Sequence, residues 1–369
     1  MNFEKACYGC FIERESDVCP ACGFCNDTYQ APVMALPLGT ILDGRYITGK
    51  VLGVGGFGIT YLGFDMRLNV KVAIKEYMPS GVAVRSGDSY TMTVVSKKQE
   101  QAYQSGADKF LEEARILAQL RENPNVVSVQ NYFRENQTAY FTMDYIEGMS
   151  LQELLHDSNG RISYDKAKAL LLPVMKALIL VHSKGLLHRD ISPDNIYITE
   201  SGNSKLLDFG AARSTQMNKS MSVILKNGFA PHEQYATDIK QGPWTDVYAM
   251  GATLYYCTTG QMPPDSIGRI YTDNLIPPTA LGASLSASAE EAILKALAVR
   301  PEDRFQSMAV FIGALENATT NYEGKKIEQP TELDKTIGIS KTSSISSIPS
   351  PSSPPNKITF IEKLKSNKL

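Results

Sequence analysis

Residues 187–208 read LHRDISPDNIYITESGNSKLLD and carry groups suited to moving a phosphoryl group off a nucleotide. Asp190 closes a His188-Arg189-Asp190 turn. Asn195 follows five residues later, and Asp208 thirteen residues after that, heading Asp208-Phe209-Gly210. In such chemistry one carboxylate accepts or steers the proton of an attacking hydroxyl. An amide and a second carboxylate hold divalent metal against the phosphate oxygens. Either triplet alone is a weak signal; the order and spacing of all three groups make a strong one.

To act together these groups must reach one edge. Residues 196–198 and 205–207 are strand formers separated by Ser201-Gly202-Asn203, so the sequence predicts a hairpin that delivers Asp190, Asn195 and Asp208 to the same side.

The phosphate-holding elements come earlier. The strand over 45–53 runs into Gly53-Val-Gly55-Gly56-Phe57-Gly58. A lone GxGxxG also marks dinucleotide folds, but there the glycines open a helix. Here Ile59, Thr60, Tyr61 and Leu62 follow, which favour a strand. The loop therefore reads as a hairpin tip laid over phosphates, with backbone N–H groups free to approach the anion. Leu52, Gly53, Gly55, Gly56, Phe57 and Gly58 are its candidate binding residues, Phe57 shielding the phosphates from water. In the strand over 70–75, small Ala73 leaves room for an adenine ring and Lys75 reaches the α- and β-phosphates. A strand-end lysine is ordinarily a surface residue; the preceding glycine hairpin argues otherwise.

Lys75 needs a carboxylate. The helix expected over 104–121 places Phe110, Leu111, Ala114, Leu117 and Leu120 on one stripe. Glu113 borders that stripe, whereas Glu112 falls on the solvated side, so Glu113 is the expected partner. Strands over 126–132 and 138–145 complete the small lobe and lead to a hinge at 146–148. Met143 is expected at the back of the nucleotide pocket, with the backbone of Asp144, Tyr145 and Ile146 along the adenine edge. The long stretch 76–103 shows two possible extra strands, 82–84 and 90–95, with no function assigned.

Glycine loop, VAIK strand, Glu113 helix, HRD-x4-N and DFG, in this order, resemble the protein kinase family, and more closely the eukaryotic-like serine/threonine kinases of bacteria. The resemblance spans about residues 45–317. It implies an α+β, two-lobed fold with a small antiparallel lobe (45–145) and a larger, mostly helical lobe (146–317). It further implies ATP with Mg²⁺ (or Mn²⁺) and transfer of the γ-phosphoryl group to Ser or Thr hydroxyls of proteins. By this resemblance Asp190 orients the substrate hydroxyl, Asn195 and Asp208 bind Mg²⁺, and His188 is structural packing. Glu233 of Ala230-Pro231-His232-Glu233 pairs with Arg304, and Asp246 braces the catalytic loop.

One departure concerns charge. The family usually carries a lysine two residues after the catalytic Asp, where this chain has Ser192. Lys226, just before Gly228-Phe229-Ala230-Pro231, is expected to project into the site and supply that charge. Ser214, Thr215, Ser220 and Ser222 are candidate phosphosites opposite Arg189.

Five of the six cysteines lie within the first 25 residues. Cys7-x-x-Cys10 and Cys19-x-x-Cys22, eight residues apart, read as two knuckles completing a tetrahedral structural Zn²⁺ site in a zinc-ribbon-like segment (1–28). Cys25 is an alternative to Cys22, disfavoured by spacing. A linker (29–44) follows, with one short pairing segment.

The 369 residues, 43% hydrophobic and 21% charged, suit a globular protein with appendages, and a formal net charge of −2 argues against a nucleic-acid surface. No apolar run is long enough to span a membrane and no secretion signal is visible, so a cytoplasmic location is expected. Residues 318–369 turn rich in Ser and Pro and are expected to be disordered. The ribbon and tail are candidate interaction modules, and autophosphorylation points to a possible homodimer. The rival reading is a pseudokinase scaffold that binds nucleotide and signals through ribbon and tail. A zinc-ribbon nucleic-acid binder fares worse, because residues 1–25 hold only Lys5 and Arg14 as bases.

Overall fold

The strand-forming runs of the first two fifths pair into a six-stranded antiparallel sheet, ordered β1-β2-β3-β4-β8-β7. The computed structural model describes residues 2–85, 90–209, 213–214, 226–236 and 238–320. The strands are β1 (Ile41–Leu42), β2 (Tyr46–Gly55), β3 (Gly58–Asp65), β4 (Val70–Tyr77), β7 (Val129–Glu135) and β8 (Thr138–Asp144). Between β4 and β7 a separate hairpin, β5 (Ala83–Arg85) with β6 (Met92–Val94), precedes helix α1 (Glu100–Ala118). Tyr103, Ala107, Phe110, Leu111, Ala114 and Leu117 form the buried stripe of α1, packed against the sheet.

The large lobe is helical. β9 (Gly148–Ser150) leads into α2 (Leu151–Asp157), whose Ser150–Glu153 capping box satisfies two of the free amides at its start. α3 (Tyr164–Ser183) delivers the chain to the catalytic loop through β10 (Leu186–Leu187). The predicted hairpin is present as β11 (Ile196–Thr199) and β12 (Ser204–Leu206), with β9 as a third strand. β13 (Arg213–Ser214) pairs with β10. α4 (Pro243–Thr259) is buried along nearly its whole length beneath α3, α6 (Ala287–Ala296) and α7 (Met308–Thr320), so its apolar character runs all round, not along one stripe. It ends at Gly260, whose φ of 73° suits glycine. α5 (Ser266–Tyr271) lies on the outside of the same lobe.

Two boundaries differ from expectation. β7 starts at Val129 instead of 126 because the preceding backbone is captured by the other lobe: Val127 N donates to Leu206 O (3.2 Å), and Leu206 N to Asn125 O (2.8 Å). α1 begins at Glu100, four residues before the periodicity does, continuing a turn capped by Ser96. Among the described residues no helix is long and apolar enough to cross a membrane. The candidate phosphosites Thr215, Ser220 and Ser222, the side chain of Ser214, and the tail from 321 onward lie outside the described residues.

Candidate active site

The catalytic loop is built around one buried carboxylate. Asp246, in the first turn of α4, accepts from His188 N (2.9 Å) and Arg189 N (2.8 Å), and lies 2.7 Å from His182 Nε2. Burial alone would raise the Asp246 carboxyl; the bond and charge from His182, then His188 and the Arg189 amide, hold it below the usual range. The brace keeps Arg189 in a left-handed conformation (φ 67°), which turns Asp190 into the cleft. His188 is fully buried, edge-on to Phe209, with its Nε2 3.0 Å from Leu207 O, and desolvation pushes its pKa down. A neutral, packed ring is a poor acid–base group at neutral pH.

Asn195 joins the next pair of groups. Its Nδ2 donates to Asp190 O (2.6 Å) and Asp190 Oδ2 (2.9 Å), while its own carbonyl accepts from Leu207 N (2.8 Å). The hairpin thus brings Asp190, Asn195 and Asp208 to one edge. Burial lifts the Asp190 carboxyl to about 6; Lys226 opposes the rise and Asp208 adds to it.

From the small lobe, Lys75 reaches across the cleft and forms an ion pair with Asp208. Glu113 is buried on α1, yet it is not the ion partner of Lys75 in this arrangement. The expected Lys75–Glu113 pair is not formed in this arrangement, where the carboxylate on the ammonium is that of Asp208, a residue in a left-handed conformation (φ 57°).

Lys226 enters from the far side. Its Nζ donates to Ser192 Oγ (2.8 Å) and Asp194 Oδ2 (3.1 Å), and lies 4.0 Å from Asp190 Oδ1. Ser192 is wholly buried, so its hydroxyl anchors the ammonium beside Asp190.

On the nucleotide side, Ala73 lies directly opposite Met143 across the β4–β8 ladder, both buried. Asp144 N already donates to Ser128 O (3.0 Å), so that amide is not available to a base edge. Leu52, Gly53 and Gly55 are exposed, whereas Gly56 and Phe57 are partly covered. Gly58 has no room for a side chain: a Cβ there would come within 1.9 Å of Glu76 O. The stretch 76–103, for which the sequence suggested no role, holds the loop tip. Met78 N donates to Phe57 O (2.8 Å), and Ser80 N to Gly56 O (3.0 Å).

That stretch is itself anchored by Glu76, which is buried beside Lys75. Glu76 pairs with Arg85 and accepts from Tyr61 Oη (2.7 Å) and Tyr140 Oη (2.5 Å). Sequence reading passed over this cluster. Its signal was a carboxylate sharing the face of Val72 and Ile74 on a covered strand, where an acid needs partners.

In the large lobe the Glu233–Arg304 bridge is present, with Nη1 2.7 Å from Oε1 and both side chains buried. Thr245 Oγ1 adds a 3.0 Å bond to the same carboxylate.

The sulfurs of Cys7, Cys10, Cys19 and Cys22 lie within 4.8 Å of one another, and Cys25 stands outside the group. The Cys7–Cys22 and Cys10–Cys19 separations are 3.6 and 3.7 Å. Zinc–thiolate bonds of ~2.3 Å in a tetrahedron give edges of ~3.8 Å, so the four fit one Zn²⁺. Burial pushes the Cys7 and Cys10 thiols up. At Cys19 burial is outweighed by the amides of Ala21 and Cys22, then by the neighbouring thiols, which bring it down to about 7.

A family model described as the protein kinase domain matches residues 80–312. A probable serine/threonine-protein kinase of Clostridium acetobutylicum is 28% identical over 294 residues, covering 77% of this chain and 41% of that protein. Serine/threonine-protein kinase PknB of Mycobacterium tuberculosis is 30% identical over 283 residues, covering 73% and 42%. Serine/threonine-protein kinase F of a Synechocystis strain is 29% identical over 340 residues, covering 85% and 64%. The chain thus spans about two fifths of the length of the first two relatives. Among solved structures, the apo form of PpkA-294 superposes with a TM-score of 0.64 at 35% identity, covering 76% of this chain and 99% of that one.

Proposed function

The chain belongs to the protein kinase family, and from that premise we propose that it is an ATP- and Mg²⁺-dependent serine/threonine kinase acting on protein hydroxyls. The observation that carries the reading is the convergence of Lys75, Asp208, Asn195 and Asp190 from two lobes onto one cleft.

Asp190 accepts the proton of the Ser or Thr hydroxyl, and Asn195 holds it in register through bonds to both its backbone and its carboxylate. Asn195 and Asp208 are the side chains that would hold Mg²⁺, which when bound neutralises phosphate charge. Lys75 is placed to move from Asp208 onto the α- and β-phosphates, with Glu113 on α1 as its candidate partner in that state. Ala73, Met143 and the backbone of Tyr145 frame the adenine, while Leu52, Gly53, Gly55, Gly56, Phe57 and Gly58 cover the phosphates. Lys226 is assigned to the charge that builds on the transferring group, in place of a lysine at Ser192. The four cysteines Cys7, Cys10, Cys19 and Cys22 are assigned to a structural Zn²⁺; with all four positions thiolate, no coordination site is left for chemistry.

The test is transfer of label from γ-labelled ATP with Mg²⁺ to the chain itself and to an added protein, beside an Asp190→Asn control. Phosphoserine or phosphothreonine on the native chain, missing in the control, supports the reading. Nucleotide binding without transfer, whatever protein is offered, supports the scaffold instead.

A further inference from the structure

The cysteine knuckles are not a free appendage: they lie against the nucleotide end of the small lobe. Strand β2 bulges twice on its way to the glycine loop, between Thr48 and Val51 and between Val51 and Gly53. Bulging turns amides away from the neighbouring strand, and here the N-terminal segment takes them. Lys50 N donates to Tyr8 O (2.9 Å), and Val51 N donates to Tyr29 Oη (2.9 Å). Tyr8 stands between two of the four cysteines, so the loop geometry that metal ligation sets is what aims its carbonyl at β2. Asn26 fixes the same turn, with Oδ1 accepting from Tyr8 N (3.0 Å) and Nδ2 donating to Ala6 O (2.9 Å). Gly49 makes the approach possible, because a Cβ there would lie 2.4 Å from Tyr8 O.

A second contact fixes the side of the sheet on which this occurs. Phe11 is buried with Ile47, Leu62 and Phe64, and Tyr145 packs against the same group. Leu62 stands opposite Ala73 in the β3–β4 ladder, and Thr60 stands opposite Lys75. Directly paired residues share a face. The knuckles therefore cover the same face that presents Ala73 and Lys75, just beyond Ala73 and beside the hinge residue Tyr145.

We infer that the thiolate–metal segment is a wall of the nucleotide site, with Tyr8, Phe11 and Tyr29 as positioning residues that hold β2 and its glycine loop for ATP. This deepens the kinase reading and rests on its nucleotide site. Metal ligation and nucleotide binding are then linked, and linkage is reciprocal: whatever zinc does for nucleotide affinity, nucleotide does for zinc retention.

The experiment uses the full chain, zinc-loaded, with two substitutions away from the thiols and away from the nucleotide-contacting residues. Tyr29→Phe deletes one hydroxyl, and Gly49→Ala wedges the seam. Calorimetric titration with a non-hydrolysable ATP analogue and Mg²⁺ should show affinity about three- to tenfold weaker for Tyr29→Phe, the range expected for a single lost hydrogen bond, and weaker still for Gly49→Ala. Metal content should stay at one zinc per chain, with the ATP KM raised and kcat little changed. The rate at which a chelator strips zinc should fall when the analogue is bound. Equal analogue affinity in wild type and Tyr29→Phe, or a zinc-release rate indifferent to analogue, overturns the inference. Wild-type protein that binds no analogue at all would instead overturn the kinase reading. If Gly49→Ala fails to fold, Tyr29→Phe and the zinc-release rate still decide.

Discussion

Replacing Lys226 with Met removes one charge from the catalytic end of the cleft while keeping a side chain of similar length. In the native chain its ammonium lies 4.0 Å from Asp190 Oδ1, and its side chain is 34% exposed. Unit charges at that distance interact by ~1 kcal/mol in bulk water and ~4 kcal/mol at an effective dielectric of about 20. With a third of the side chain in solvent, screening leaves about 1 to 2 kcal/mol. If the same ammonium faces charge on the transferring phosphoryl group, kcat should fall roughly 5- to 30-fold. Asp190 supplies a second readout. Burial lifts its carboxyl to about 6 against the pull of Lys226. A proton acceptor must be ionised, so wild-type kcat/KM should fall as pH drops through about 6. Without Lys226 the carboxyl rises further, and the acid limb should shift up by about one pH unit. Initial rates of labelled phosphate transfer across pH 5 to 8 measure both effects. A variant with native kcat and an unmoved acid limb would refute the assignment.

Other sites give sharper structural tests. Arg304→Met leaves the buried Glu233 carboxylate with the Thr245 hydroxyl and, 3.5 Å away, His232 Nδ1, so a loss of about 3–5 kcal/mol is expected in a thermal or urea melt. Arg85→Met leaves Glu76 with two tyrosine hydroxyls, which soften the effect; about 2–3 kcal/mol of destabilisation should appear, with the tether on the glycine-loop tip loosened. Gly58→Ala has no relaxed solution, because the added methyl meets the backbone of Glu76; β3 and β4 must shift, so a fluorescent nucleotide should bind far more weakly and the melting temperature should fall as well. Asp246→Asn keeps the shape but loses the charge that holds two loop amides and His182; kcat should drop at least tenfold with ATP affinity near native.

Much of this protein was legible in the residues alone because the relevant information is local. Asn195 and Asp208 flank one hairpin and Asp190 lies on the short loop that enters it, and a hairpin's register follows from its strand pattern and turn. The glycine loop and the Ala73–Lys75 strand were legible for the same reason: period-two alternation and glycine spacing report backbone shape directly. The cysteine spacing likewise set which four sulfurs could meet, since two-residue gaps fold back on themselves without help from the rest of the chain. Even Lys226 could be nominated, because a missing charge at Ser192 asks for another nearby.

Three features were decided only by tertiary structure. Lys75 has Asp208 as its ion partner and not Glu113, a choice set by how the two lobes face each other. Glu76 is buried because a hairpin contributes Arg85 and two other strands contribute tyrosines, none of them foreseeable from the Glu76 neighbourhood. The cysteine knuckles lean on the nucleotide face of the sheet through Tyr8, Phe11 and Tyr29, where the sequence suggested only a tethered module. Periodicity tells which side of an element is apolar; it carries no label for the distant element that will cover it. That label exists only once packing has brought the surfaces together.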